Sequence, residues 1–353
     1  MKKMIPYVRC VVFIIGMIVI VSASDFIFAK TGYINYILRQ TESSEENYNQ
    51  FILGASHAKC AIDPAEIEQV SDDTVLNMAI GGETIKDSYY LLQELDRKHD
   101  IDRIVLDIDY NYWFGNQGEG CFAEAFLYNQ YSWTSPVKWK YLVENTQYMD
   151  FRNAFSKRFV YEYSASGIAA NIKRKTSDSY KEADIYSLTP QEMGGRYAGK
   201  GFFEQTLPEG NPVGEKYVKK QIGKQNEPIN DYPVKYFEKL VAYCDKHDID
   251  MVCVTTPITP SSMKRLGVET AYAKLTELFD KHDIPYYDLN RLKFSVLSRK
   301  DKDYVDKEGH MGSELANRYS EVLAKLLKEH WDGTLEESDY LYDTYEQMYE
   351  EMR

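Results

Sequence analysis

The stretch that decides the fold is Phe51-Ile-Leu-Gly-Ala-Ser-His57, an apolar run that stops at Gly54 and presents Ser56 and His57 just beyond it. A short apolar run bounded by glycine reads as a buried strand, so Ser56 stands where a strand gives way to a turn. A serine in that position is chemically idle alone. It needs a base, a carboxylate to orient the base, and donors for an oxyanion.

Working outward, Asp63-Pro64-Ala-Glu-Ile67 opens a short helix with proline in its first turn. Thr74–Ile80 reads as a second strand closed by Gly81-Gly82, and Thr84–His99 as a helix with Ile85, Tyr89, Leu92 and Leu95 on one face. Arg103–Ile108 is a third strand. After a break, the pattern resumes with a helix over Val234–Asp245, a strand over Asp250–Thr256, a helix over Glu269–Lys281, a short strand over Pro285–Asp288 and a last helix from Ser313 to Glu329. Strand and helix in alternation predict parallel strands joined by right-handed crossovers, hence an α/β three-layer sandwich around a central parallel sheet.

The interval 112–230 breaks the rhythm. It is rich in Tyr, Phe, Gly and charge, carries basic clusters at Lys157-Arg158 and Lys173-Arg174-Lys175, and reads as an insertion or lid. Within it, Gly194-Gly-Arg-Tyr-Ala-Gly-Lys-Gly201 nearly matches a phosphate-binding loop. Gly201 replaces the Ser/Thr that would hold magnesium, and no apolar strand precedes the motif. Nucleotide binding is therefore set aside.

The N-terminus carries Lys2, Lys3 and Arg9, followed by the apolar run Cys10–Ala23 and by Phe26–Ala29, and Tyr7 to Ala29 is about the roughly 20 residues a spanning helix needs. It is expected to be an uncleaved membrane anchor, the alternative being a signal peptide. Bases before the segment and few after it place the body outside the cytoplasm. The organisation expected is an anchor over 1–31, an α/β domain over 32–330 and an acidic amphipathic tail over 331–353, with Leu341, Tyr345, Met348 and Met352 at helical spacing. Net charge is −13, and the stretch from Trp331 to Arg353 alone holds eight acids against one base. This argues against nucleic acid as a partner, since such proteins neutralise phosphates with Lys and Arg. The five cysteines, Cys10, Cys60, Cys121, Cys244 and Cys253, show no CxxC spacing, so neither a metal site nor a disulfide framework is expected.

Three later segments offer the parts Ser56 lacks. His310 follows Asp306 just before the last helix, and Asp306 is the expected orienting acid, with Glu308 and Asp303 in reserve and a serine–histidine dyad as the remaining option. The turn Gly81-Gly82 could bring a bare backbone N–H close to a substrate. Asn111, just past the third strand, could donate its side-chain amide, although Asn after a strand is commonly a turn residue. Each candidate follows a different predicted parallel strand, and strand C-termini of an open α/β sheet share one crevice. His57, beside the serine on a tight turn, is read as a turn residue or a substrate contact.

With these residues in view the chain resembles the SGNH (GDSL-like) hydrolase superfamily. Gly54-Ala-Ser56 is similar to its first block, Asn77-Met-Ala-Ile-Gly-Gly-Glu-Thr84 to the second, Asp107-Ile-Asp-Tyr-Asn111 to the third, and Asp306 to His310 to the last. The family spacing is Asp-x-x-His, whereas Asp306 stands four residues before His310. The resemblance implies a flavodoxin-like sheet, an acyl-enzyme on Ser56, an oxyanion hole from Ser56, Gly82 and Asn111, and no cofactor. The anchor and the ending Val-Cys-Val-Thr-Thr-Pro257 look most like the membrane-attached extracytoplasmic members. Those relatives imply O-acyl transfer to hydroxyls of an envelope polysaccharide or teichoic-acid-like acceptor, beside a membrane-bound O-acyltransferase. A polysaccharide acetyl esterase and a non-catalytic glycan-binding or docking module are the alternatives.

Overall fold

The computed structural model describes residues 5–28, 37–38, 41, 46–114, 131–145, 152, 168–177, 195–207 and 227–352. The chain divides into two compact units, Met1–Leu38 with Glu119–Leu188, and Arg39–Gly118 with Thr189–Arg353. Cys121, Lys157-Arg158 and the stretch 208–214 lie outside the described residues.

The first unit contains α1 (Ile5–Phe28), a helix of 24 residues. Its stretch Pro6–Ile27 is long and apolar enough to cross a membrane, and its side chains are open to the surroundings along nearly the whole length.

The second unit is built on a five-stranded sheet. In chain order β1 (Gln50–Leu53) leads through α2 (Ser56–Ala61) and α3 (Pro64–Glu68) to β2 (Val75–Asn77), and α4 (Ile85–Leu95) leads to β3 (Arg103–Asp107). In the interval that follows, α5 (Pro136–Glu144) and α6 (Ile168–Thr176) belong to the first unit, while β4 (Arg196–Gly199) and β5 (Phe202–Glu204) form a separate antiparallel hairpin in the second. Then come α7 (Asp231–His247), β6 (Asp250–Thr255), α8 (Pro260–Leu266), α9 (Val268–Asp280), β7 (Tyr286–Asp288), α10 (Ser313–Trp331), α11 (Glu337–Tyr340) and α12 (Tyr345–Glu351). The sheet order is β2-β1-β3-β6-β7, and every pair is parallel.

Parallel strands need helices on both faces, and alternation along each strand divides the work. Ile52, Val105, Val252 and Val254 face one core with Ala58, Ala61, Ile67, Leu315, Tyr319 and Leu323 from α2, α3 and α10. The other side holds an aromatic cluster in which Trp113, Phe237 and Phe279 meet edge to face or tilted. Phe114 bridges Ile229 antiparallel and Asn230 N–H donates to the Trp113 carbonyl at 2.9 Å, so residues 113–114 and 229–230 meet at the edge of this body.

The near-phosphate-loop is the β4–β5 hairpin. Lys200 pairs with Glu68 of α3, and its carbonyl accepts from Asn77 N–H at 2.9 Å. The regular strand ends at Asn77, although the Met78 and Ile80 amides still donate to the carbonyls of Ile52 and Gly54 at 2.8 and 3.0 Å. Gly201 has φ +84, and a Cβ there would sit 1.7 Å from the Asn77 carbonyl oxygen. The acidic C-terminal stretch contributes to the body as well: Leu341, Tyr345 and Met348 are buried, and Leu341 bridges Leu292.

Gly201→Ala is expected to cost about 2–4 kcal/mol, because both the φ and the space are refused. Gly333→Ala, at φ +67 with nothing within 4 Å, is expected to cost only about 1 kcal/mol. Denaturant unfolding of the detergent-solubilised chain compares the two.

Candidate active site

The order β2-β1-β3-β6-β7 places a topological switch between β1 and β3, where crossovers depart to opposite faces and a crevice opens beyond the strand ends. Ser56 follows β1 and Asn111 follows β3, so the crevice lies between them. Ser56 is the first residue of α2, whose N-cap Ala55 is extended and offers no side-chain cap. Two side chains hold α2 in place. Asn77 donates to the carbonyls of Ala58 and Ile62, both at 2.9 Å, and Ser320 of α10 donates to the Ala61 carbonyl at 2.9 Å.

His310 Nε2 lies 2.7 Å from Ser56 Oγ, and His310 Nδ1 lies 2.6 Å from Asp306 Oδ2. Serine, imidazole and carboxylate therefore stand in line within hydrogen-bonding distance. The four-residue spacing is accommodated by a turn. Asp306 Oδ1 accepts from the Gly309 and His310 amides at 3.0 and 3.3 Å, leaving Oδ2 for the ring. Gly309 makes this turn at φ +103, packed so closely on Ile258 that a Cβ would lie 2.8 Å from its Cα. Thr259 and Ser262 donate to the carbonyls of Asp306 and Lys307 and pin the loop from outside. Of the reserve acids, Asp303 accepts from Lys300 N–H at 2.8 Å and Glu308 is exposed.

Burial alone would lower the His310 pKa, but the hydrogen bond and charge of Asp306, with Glu308 and Asp109 nearby, hold it above its ordinary value. Asp306 shifts oppositely: burial would raise it, yet His310 and the two amides hold it below the usual carboxylate range. The ion pair is favoured from both sides.

Gly82 and Asn111 occupy the ends of the neighbouring strands. Gly82, at φ +82, makes the turn in which Glu83 N–H donates to the Ile80 carbonyl at 2.8 Å. Asn111 lies in a single 3-10 turn, Tyr110–Tyr112, and its amide donates to Asp109 Oδ1 at 2.9 Å. His57 is buried at 6% exposure, with Nδ1 3.4 Å from Asp109 Oδ2 and its ring 4.8 Å from that of His310. Its Nε2 has no hydrogen-bond partner among the described residues.

Three acids around the site were not singled out from the sequence. Asp107 Oδ1 accepts from Thr256 N and Oγ1 at 2.9 and 2.7 Å and so ties the end of β3 to that of β6. Burial pushes its carboxyl up to about 6, against the Thr256 donors and the nearby His57. Asp109 pairs with His57. Glu83, buried, accepts from Ser88 Oγ and Ile80 N–H, yet burial keeps its carboxyl well above the usual range. A cavity of about 20 Å³, lined by Gly54, Glu83, Ser88, Asp107 and Asp109 among others, separates these acids; it has room for one water. The available signal was Asp107-Ile-Asp109 directly after an apolar strand, where acids are placed at the crevice edge. Among the described residues no group of three or more His, Cys, Asp or Glu could hold a metal ion.

No protein-family model matches the chain, and no curated protein matches it either. Among solved structures it is similar to a candidate acylhydrolase from Bacteroides fragilis, at TM-score 0.37 and 11% identity, covering 87% of this chain and 100% of that one. It is also similar to the psychrotrophic esterase EstA from a Pseudoalteromonas species, in a structure inhibited by monoethylphosphonate, at TM-score 0.33 and 10% identity, covering 80% and 99%. Likeness this loose carries no argument about activity. The chemistry below rests on the side chains.

In a histidine-labelled NMR titration, the His310 ring is expected to titrate above 6.5, its ordinary value. Asp306→Asn removes the partner that favours the cation, so the midpoint is expected to fall. An unmoved midpoint would show that Asp306 does not govern the ring.

Proposed function

We propose that the protein is a membrane-anchored serine acyl-transfer enzyme whose body lies outside the cytoplasm. The observation that carries this is the line Ser56–His310–Asp306, with contacts of 2.7 and 2.6 Å. Ser56 Oγ attacks the carbonyl of an acyl ester or thioester while His310 Nε2 takes its proton. Asp306 accepts from Nδ1–H, keeps Nε2 turned to the serine and stabilises the imidazolium that forms. The tetrahedral oxyanion is assigned to the amides of Ser56 and Gly82 and the side chain of Asn111. Collapse expels the leaving group, protonated by His310, and leaves an acyl-serine. A hydroxyl then attacks with His310 again as base.

The acceptor proposed is a hydroxyl of an envelope polysaccharide or a teichoic-acid-like polymer, with a membrane-bound O-acyltransferase as partner. The apolar helix α1 and the sequence resemblance to membrane-attached SGNH proteins support it. Hydrolysis is the second reading, favoured by the partial exposure of the dyad itself: the His310 side chain is 17% exposed and that of Asp306 41%, so water reaches the base. Product analysis with and without an added polyol separates transfer from hydrolysis.

Ser56→Ala is expected to lower release of p-nitrophenol from p-nitrophenyl acetate at least about 10³-fold and to abolish labelling by a fluorophosphonate. Retention of the wild-type rate would remove Ser56 from the chemistry. Because the base form of His310 is required, kcat/KM is expected to fall as pH drops through a midpoint above 6.5. Asp306→Asn is expected to cost about 10²-fold or more and to move that limb to lower pH, since the neutral ring then persists further into acid.

A further inference from the structure

The basic run Lys173-Arg174-Lys175 has no part in the site. It lies on α6, whose sequence Ile-Ala-Ala-Asn-Ile-Lys-Arg-Lys-Thr has three bases and no acid. Helix α6 belongs to the same compact unit as α1, and one contact joins them. Lys175 is buried at 7% exposure, and its Nζ donates to the Phe26 carbonyl at 2.7 Å while lying 5.4 Å from the centroid of the Phe26 ring. Phe26 is in the last turn of α1, where carbonyls lack intrahelical donors and the helix dipole favours a cation. Lys175 thus caps the end of the apolar helix.

That bond fixes a depth. The apolar stretch Pro6–Ile27 has 22 residues, about 33 Å of helix at 1.5 Å per residue, close to the roughly 30 Å of a bilayer's hydrocarbon core. The Phe26 carbonyl then falls at the edge of that core. An ammonium bonded to it belongs at the headgroup level, since charge is costly deeper and lysine heads reach for the interface. Lys173, two residues back along α6, is exposed. It is held within a few ångströms of the same level, because each helical residue rises only about 1.5 Å. Ile168 and Ile172, one turn apart, are partly covered and give the helix an apolar edge.

We infer that α6 is an interfacial helix whose basic end, led by Lys173, binds the phosphates of anionic phospholipid headgroups in the bilayer that α1 crosses. The inference depends on α1 spanning the membrane and is independent of the acyl chemistry. Charge complementarity selects the occupant: α6 carries three bases and no acid in its own sequence, against the single acid Asp25 near the end of α1, and a helix of net positive charge lying at an interface is attracted to anionic lipid.

The full chain is reconstituted in nanodiscs of phosphatidylcholine alone or mixed with phosphatidylglycerol, and amide hydrogen exchange of residues 168–177 is followed. Phosphatidylglycerol is expected to slow exchange roughly fivefold or more, and raised salt to reverse much of the slowing. Lys173→Glu, at an exposed position where folding is not at stake, is expected to abolish it. Equal exchange in the two lipids, or slowing that survives Lys173→Glu, would overturn the inference. Free exchange of the α1 amides in both discs would overturn it too, by showing that α1 is not in the bilayer.

Discussion

The hydrogen bond between His310 Nε2 and Ser56 Oγ joins residues 254 apart in sequence, and the second unit braces both of its ends. Closing so long a loop is entropically unfavourable, and that cost is met by folding. At one end Asn77 and Ser320 grip α2, so the serine stands on a helix braced by β2 and by α10. At the other, the Asp306 turn carries the imidazole and is itself gripped by Thr259 and Ser262. A loosening at either end would lengthen a 2.7 Å contact, to which proton transfer is acutely sensitive.

Buried carboxylates do much of the bracing at the strand ends. Asp107 joins β3 to the residue after β6. Asp288, the last residue of β7, accepts from Tyr110 of the Asn111 turn and from Tyr345 of α12, as well as from Asn290. Desolvation raises both acids, and the donors pull them back toward ionisation. A buried carboxylate with several donors specifies geometry more than it adds stability, because each missing donor leaves a costly unpaired oxygen. Through Asp288 the last helix of the chain bears on the segment that holds Asn111, so the acidic C-terminal stretch belongs to the architecture of the crevice.

Much of the architecture was legible residue by residue. Apolar runs at 51–53, 104–106 and 251–254 announce buried parallel strands, and the spacing of Ile85, Leu92 and Leu95 announces a helix. The turn that lets Asp306 reach His310 across one extra residue was not legible, since it depends on Gly309 adopting a positive φ against Ile258. Nor was the pairing of His57 with Asp109, because two residues of ordinary type on different strand ends carry no periodic signal. The short helix Pro260–Leu266 and the hairpin over 196–204 also escaped, being too brief for periodicity to declare itself.

Sequence by itself determined the alternation of strand and helix, the apolar N-terminal helix and the residue types that could carry acyl chemistry, because burial periodicity and side-chain chemistry are local properties written in consecutive residues. Tertiary structure alone decided that Ser56, His310 and Asp306 meet in line, that Asp107, Asp109 and Glu83 line one small cavity at the strand ends, and that Lys175 closes the end of α1. Those are distances between remote segments, set by sheet order and by the packing of helices on its faces, and no local pattern encodes them.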